Sequence, residues 1–417
     1  MRRIVIVGGG FAGLEVAKAL AGAPDEILLI DRRNHHVFQP LLYQVATAGL
    51  SPAEIAAPIR SIVARQRNTT VLQATVTHID RGRRVVVSSV GEHPFDVLVL
   101  ATGAEHSYFG QEQWEPWAPG LKSLEQATEI RRRILAAFER AEWATNPADQ
   151  RAELTFVVIG GGPTGVEMAG AIGEMSRYTL ARDFRRIDPA LTRIMLVEAG
   201  PRILPSFDPE LSARAVRDLE SLGVQVWTRS SVTAVADGVV EIGADRIRAG
   251  TVIWAAGVQA SPLGAMLDVP CDRQGRVKVS ADLTANDPWI FVLGDLAHCE
   301  QDGRSLPGVA PVALQQGRYA GRLIRLGQVS ERKPFRYLDK GSLATIGRAR
   351  AIGQLGQLRM SGFLAWMMWL VVHIFFLIGF RNRVFVLTNW MISYIKYSRG
   401  ARLILAREWR SYADKNQ

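Results

Sequence analysis

Runs of aliphatic and β-branched residues, four or five long, recur along this chain between longer stretches with helical spacing. Residues 4–7, 27–30, 97–101, 155–159, 194–198, 252–256 and 290–293 are such runs. Short segments that are apolar at every position predict strands covered on both faces, as in a parallel sheet with helices packed above and below. Between them, 121–144 carries its apolar residues at helical spacing up to Asn146-Pro147, which predicts a connecting helix that stops there. The Val- and Thr-rich stretch 71–90 predicts a small antiparallel excursion. Alternation of the two periods predicts an α/β fold.

One pattern occurs twice. A strand, a glycine-rich turn and a helix of small residues follow one another from Ile4 to Gly13 and again from Phe156 to Gly165. In the first copy the glycines of G-x-G-x-x-G are Gly8, Gly10 and Gly13. Such glycines permit a tight turn, close approach of backbone to a pyrophosphate, and close helix-on-strand packing, with the phosphates over the helix N-terminus. Asp31 closes the next apolar run, where an acid takes the ribose hydroxyls. In the second copy the glycines are Gly160, Gly162 and Gly165, and the acid is Glu198, delayed because 177–193 lengthens the crossover. An acid there accepts from a 2′-hydroxyl and repels a 2′-phosphate, so NADH is favoured over NADPH. Arg202 stands close enough in sequence to contact such a phosphate in another loop conformation. Two cradles predict one flavin and one nicotinamide. FAD is assigned to the first, because Leu98 to Gly103 and Ile290 to Asp295 read as further walls of its site, with an ordinary β-turn aspartate the lesser alternative for Asp295.

Composition narrows the class. The chain has 417 residues, 48% hydrophobic and 22% charged, which excludes disorder and predicts several domains. Two cysteines, Cys271 and Cys299, exclude a disulfide framework and a thiolate metal cluster, and no metal is expected. They also form no C-x-x-C, against a thiol-dependent flavoprotein. The apolar run after Met1-Arg2-Arg3 has strand length, too short for a secretory leader, so the chain is expected to begin in its first domain, in the cytoplasm.

These residues resemble the two-dinucleotide-binding-domain flavoproteins, whose fold is glutathione-reductase-like, and more narrowly the type II (non-proton-pumping) NADH:quinone oxidoreductases. The resemblance rests on both glycine motifs, Phe38 to Ala48, Thr102-Gly103, Gly161 to Glu167, Trp254 to Val258, Gly294-Asp295 and Gln315-Gln316-Gly317. It implies non-covalent FAD, hydride transfer from NADH, two-electron reduction of a membrane quinone, a homodimer, and attachment to the membrane through the C-terminus. Its FAD contacts fall on Gly8, Gly10, Gly13, Asp31, Gln44, Thr102, Gly103 and Asp295. Its NADH contacts fall on Gly160, Gly162, Gly165, Glu198 and Gly257. Glu167 and Gln315 take the catalytic places, with Gln315, Gln316 and Gly317 toward quinone. A carboxyl with a raised pKa suits proton delivery to quinone, while a glutamate favoured by a helix dipole is the competing reading of Glu167. The pattern departs from the family at Pro311, which stands where relatives carry a first glutamine, leaving only Gln315 in the matched role. Expected domains are 1–115 with 275–330 for FAD, 150–270 for NADH, and 331–417 for membrane association.

Residues 362–380 are apolar apart from His373, long enough by hydropathy to span a bilayer. The balance of charge argues against a span. Residues 381–417 hold eight basic side chains and two acids, so six of the ten net positive charges sit there. One span from a cytoplasmic body would place that tail on the wrong side of the membrane. The expectation is an in-plane, monotopic hairpin on the cytoplasmic face: helix 362–380, a turn at Arg381-Asn382-Arg383, then Val384 to Ile395 and a basic amphipathic tail on anionic lipid, with no nucleic acid partner. Trp366, Trp369, Trp390, Tyr394 and Tyr397 are its candidate interfacial anchors, and a single span or a buried core helix are the alternatives. His373 reads either as a hydrogen-bond partner for a quinone headgroup or as a histidine satisfied by a neighbouring carbonyl. Competing functions are an NADH-dependent flavoprotein reductase of another acceptor and a membrane-tethered redox sensor.

Overall fold

A computed structural model describes residues 1–327, 331–396 and 400–405. The chain folds into two units, each assembled from separated segments: Met1–Val37, Ala56–Glu105 and Val258–Lys340 in the first, and Phe38–Ile55, His106–Gly257 and the chain from Gly341 onward in the second.

The first unit is organised on a five-stranded parallel sheet in the order Ile290–Val292, Val97–Leu100, Arg3–Val7, Glu26–Asp31, Thr69–Gln73. Its central strands are buried almost throughout, as continuously apolar runs require of a sheet covered on both faces. The last strand was expected in the antiparallel excursion. It joins the parallel sheet instead, and only Val76–Asp80, Val85–Ser88 and Gly91–Pro94 form the antiparallel ribbon. Helix Phe11–Ala19 lies against helix Ala310–Leu326. A Cβ at Gly317 would stand 2.4 Å from the Ala12 carbonyl oxygen, so glycine is what lets these two helices meet.

The second unit repeats the plan with four parallel strands, Val224–Trp227, Arg193–Val197, Thr155–Ile159 and Thr251–Trp254. The connecting helix runs Leu124–Trp143, started by Ser123, whose hydroxyl accepts from the Gln126 N–H. It ends just before Asn146-Pro147, as its spacing predicts, and Asn146 caps the next helix, Pro147–Glu153, with proline at the first helical position. A three-stranded antiparallel sheet, Ser342–Gly347, Arg350–Leu355 and Leu358–Ser361, covers helix Pro163–Glu174. Gly170 makes that contact possible, since a Cβ there would lie 1.8 Å from the Ile346 carbonyl oxygen.

The apolar segment is shorter as a helix than its hydropathy predicts. Helix Phe363–Phe376 ends where Leu377 turns extended and Gly379 takes φ +89°, and helix Phe380–Lys396 follows at once. The turn therefore falls at 377–379, and Arg381-Asn382-Arg383 lies inside the second helix. Fourteen residues rise about 21 Å, short of the roughly 30 Å of a bilayer core. Among the described residues no helix is long and apolar enough to cross a membrane. Tyr397, Arg399 and the tail residues Arg407, Glu408, Arg410, Asp414 and Lys415 lie outside the described residues.

Candidate functional site

The two cradles are built alike, each within its own unit. In the first, Gly8 takes φ +107°, with the Ala101 carbonyl oxygen 2.3 Å from where a Cβ would stand. A Cβ on Gly13 would lie 1.9 Å from the Gly8 carbonyl oxygen. Turn and helix packing thus forbid a side chain at both positions. Gly10 differs: its φ is −75° and nearly nothing lies within 4 Å, so the fold itself does not require glycine there. Asp31 Oδ2 accepts the Gly9 N–H at 2.7 Å and Oδ1 accepts the Arg33 N–H at 2.7 Å, so the acid closing the second strand braces the phosphate turn.

The second cradle repeats each feature. Gly160 takes φ +108° beside the backbone of Ala255, and a Cβ on Gly165 would lie 1.8 Å from the Gly160 carbonyl oxygen. Gly162, at φ −73°, has open space around it. Glu198 Oε2 accepts the Gly161 N–H at 2.7 Å and Oε1 the Gly200 N–H at 2.6 Å. Arg202 turns to the backbone, donating to the carbonyls of Phe207 at 2.6 Å and Pro205 at 2.8 Å. Gly257 takes φ +71°, and a Cβ there would stand 2.5 Å from the Phe109 ring.

Among the buried polar atoms that the first unit leaves without a partner, two belong to residues beside its glycine turn. Thr102 Oγ1, at the carboxyl end of the strand next to Gly8, has no hydrogen-bond partner. His36 is 3% exposed, packs edge-on against Phe11, and presents Nδ1 to the Gly9 carbonyl at 3.1 Å. Its Nδ1 therefore carries the proton and donates, leaving Nε2 as an unpaired acceptor. Burial lowers the His36 pKa to about 4, so the ring is neutral. An unpaired buried polar group costs about 1–3 kcal/mol. Unpaired groups around a glycine-lined turn fit a dinucleotide such as FAD. His36 escaped sequence reading because nothing in the pattern marks a histidine six residues past an apolar run; Asn34-His35-His36 was the sole signal.

Gly294 takes φ +70°, and its N–H donates at 2.7 Å to Oε1 of Gln316, which is 1% exposed. Gln316 thus holds the turn carrying Asp295 through its Oε1, and Gly317 serves helix packing. Gln315 donates from Nε2 to the Leu338 carbonyl and accepts the Leu338 N–H, both at 2.9 Å, so each end of its amide is engaged.

In the second unit, Glu167 lies in the second turn of helix Pro163–Glu174, beyond the reach of a first-turn dipole argument. Its carboxyl faces the Thr345 N–H at 3.5 Å, and burial pushes its pKa up to about 8. Gln44 accepts from the Trp390 indole N–H at 2.7 Å and donates to the Tyr43 hydroxyl at 2.8 Å. Asn389 donates to Glu54, so helix Phe380–Lys396 is tied to the segment 38–55 by two polar side chains. His373 has Nδ1 2.6 Å from the Trp369 carbonyl, stacks on the Trp369 ring at 4.2 Å, and is held neutral by burial, its pKa near 4.

Neither cysteine is disulfide-bonded, and burial pushes both thiols up, Cys299 to about 11. A thiolate nucleophile is not supported there. Among the described residues no His, Cys, Asp or Glu cluster could hold a metal ion.

Comparison with known proteins agrees with this geometry. The family described as pyridine nucleotide-disulphide oxidoreductase matches residues 2–317, and the NDH2 C-terminal domain matches 340–399. The type II NADH:quinone oxidoreductase Ndh of Mycobacterium tuberculosis is 44% identical over 420 residues, covering 95% of this chain and 89% of the relative. The type II NADH:quinone oxidoreductase of Staphylococcus aureus is 30% identical, covering 85% of this chain and 90% of the relative. The structure of NDH2 from Plasmodium falciparum in complex with NADH superposes with a TM-score of 0.86 at 19% identity, over 97% of this chain and 100% of that one. At that identity the likeness speaks for the α/β pyridine-nucleotide oxidoreductase fold alone.

Proposed function

The chain belongs to the type II NADH:quinone oxidoreductase family, and from that premise we propose that it oxidises NADH and passes two electrons to a membrane quinone without pumping protons. FAD, when bound, supplies the two-electron chemistry between hydride donor and quinone. The protein's share is binding, orientation and protons.

The first cradle fits the FAD pyrophosphate through Gly8, Gly10 and Gly13, with Thr102 Oγ1 and His36 Nε2 offering unpaired polar atoms. Gly103 and Asp295 are the further FAD contacts in this reading, and Gln44, oriented by Trp390 and Tyr43, is another. The second cradle takes NADH. The observation that carries this assignment is Glu198, held by two backbone N–H groups with its charge fixed at the end of the second strand. A fixed carboxylate accepts the ribose 2′-hydroxyl and repels a 2′-phosphate. Arg202, spent on two carbonyls, offers that phosphate no counter-charge in this conformation.

Reduction of a quinone to a quinol consumes two protons. Glu167, with its pKa near 8, keeps its proton at neutral pH and can give it up during turnover, which is what a proton donor requires. Gln315 is assigned as a positioning residue through Leu338 rather than a free quinone ligand.

The two C-terminal helices expose Phe363, Leu364, Val371 and Phe375 on the first, and Val384, Phe385, Met391 and Ile392 on the second. Apolar rows on short helices beside a basic tail suit a monotopic seat in the cytoplasmic leaflet. A homodimer follows from the family resemblance alone. Addition of NADH to the purified FAD protein under anaerobic conditions tests the first half: flavin absorbance should bleach with NADH and return on adding a quinone. Bleaching without recovery would assign a different acceptor, the reading that Pro311 favours.

A further inference from the structure

The insertion 177–193, which lengthens the crossover of the second cradle, has no part in the chemistry above. It leaves the carboxyl end of helix Pro163–Glu174 and returns to Arg193, the first residue of strand Arg193–Val197. Gly160–Gly162 and Glu198 follow the carboxyl ends of strands Thr155–Ile159 and Arg193–Val197, so the insertion sits at the opposite edge of that sheet. Nucleotide binding in such sheets occurs at the carboxyl edge, which rules out the NADH phosphates as its ligand.

The insertion is nevertheless built. The Glu142 carboxylate gathers the backbone N–H groups of Arg185 at 2.9 Å, Arg186 at 3.0 Å and Ile187 at 3.2 Å, and Phe184 stacks on Phe138 at 5.9 Å. This frame holds Arg182, Arg185 and Arg186 exposed on one short turn. Among the described residues no carboxylate lies within ion-pair distance of these three guanidiniums. Asp183, between them, pairs with Arg402, which lies six residues beyond helix Phe380–Lys396. The exposed Leu403, Ile404 and Leu405 follow directly. Three exposed arginines are therefore linked, through Asp183 and Arg402, to an apolar triplet that follows helix Phe380–Lys396.

We propose that Arg182, Arg185 and Arg186 form a second membrane contact of the protein, electrostatic in kind, that binds the headgroups of anionic lipids beside the apolar hairpin. The inference rests on the monotopic seat proposed above and extends it to a part of the NADH unit that no family resemblance reaches. Clustered cations near an anionic leaflet bind in proportion to their number and lose that binding to salt. Apolar residues adjacent to them enter the headgroup boundary, and the combination gives firmer attachment than either alone.

The test uses the full-length FAD protein, sedimented with phosphatidylcholine vesicles with and without phosphatidylglycerol. The variant R182Q/R186Q spares Arg185, whose guanidinium donates to the Arg182 carbonyl at 3.0 Å and so supports the turn. Its affinity for the anionic vesicles should fall about twenty-five-fold at low salt, roughly fivefold per arginine. Affinity for neutral vesicles and NADH oxidation in detergent should not change, and R182K/R186K should restore anionic binding. Unchanged binding of the Gln variant to anionic vesicles would overturn the proposal and assign the patch to an acidic protein surface. Equal loss on both vesicle types would overturn it too. Loss of all vesicle binding by the wild-type protein would instead refute the monotopic seat.

Discussion

The carboxylate of Glu198 accepts the backbone N–H of Gly161 at 2.7 Å, just as Asp31 accepts that of Gly9 at 2.7 Å in the other unit. Each acid grips the middle of the glycine turn it serves. The residue proposed to select the nucleotide therefore also shapes the loop proposed to receive its phosphates.

Glu198→Gln tests this double role. The amide keeps an oxygen for one N–H but gives up the charge and one acceptor. A hydrogen bond to a charged group is worth about 1.5–3 kcal/mol, so KM for NADH should rise roughly ten- to hundredfold. Repulsion of a 2′-phosphate should vanish with the charge, and the preference for NADH over NADPH should narrow. Steady-state kinetics with both nucleotides read this, and an unchanged preference would remove Glu198 from specificity.

Two glycines of one motif should respond differently to the same substitution. Gly162→Ala meets no protein atom within 4 Å at an ordinary φ, so the variant should fold with wild-type thermal stability while KM for NADH rises tenfold or more. Gly165→Ala would force a Cβ to 1.8 Å from the Gly160 carbonyl oxygen, and overpacking of this kind costs about 1–3 kcal/mol or more. Its melting temperature should fall. Equal behaviour of the two variants would contradict the division between ligand approach and helix packing.

Glu167 sets a pH dependence whose sign is fixed by burial. Its ordinary pKa of 4.5 rises to about 8 in the fold, so the native chain keeps a proton that the unfolded chain releases between those values. This group's contribution to stability is complete below the lower value and is lost progressively as pH rises through the window. Glu167→Gln keeps the neutral form at every pH, so the variant should lose less stability than wild type between pH 5 and pH 8. Quinone turnover should fall above about pH 8 in the wild type, and that limb should be absent from the slower variant. Denaturant titrations and pH–rate profiles check the two halves separately.

The anchor helices are expected to hold the membrane by apolar contact. Leu364→Glu with Val371→Glu places charges on the exposed face of helix Phe363–Phe376. The wild type should stay on vesicles through a high-salt wash, while the variant should be released yet still oxidise NADH with a water-soluble quinone. Release of the wild type by salt alone would show that the helices are not inserted.

Much of this arrangement was legible because its physics is local. A glycine turn between an apolar run and a small-residue helix needs only neighbouring residues, so both cradles could be located from the sequence. What depends on distant partners was not legible. That Gly294 donates to Gln316, and that Leu338 engages both ends of the Gln315 amide, cannot be read from the motif that carries these glutamines. Strand Thr69–Gln73 carries the Val and Thr of an antiparallel ribbon, but Glu26–Asp31 offers it an open edge, and register Ile27 to Thr69 places it in the parallel sheet. The apolar segment reads as one long helix because hydropathy does not register Gly379, whose φ of +89° lets the chain turn. Segment 38–55 joins the second unit through packing of Leu42–Ala46 on Leu124–Trp143, a contact no periodicity announces.

The central claim is that this chain transfers electrons from NADH to quinone. Its most direct test is steady-state oxidation of NADH by the purified FAD protein in detergent with menadione as acceptor. Sustained turnover, with one quinone reduced for each NADH consumed and NADPH a far poorer donor, is the predicted result. Turnover that stops after one flavin equivalent of NADH, with menadione left oxidised, would contradict it.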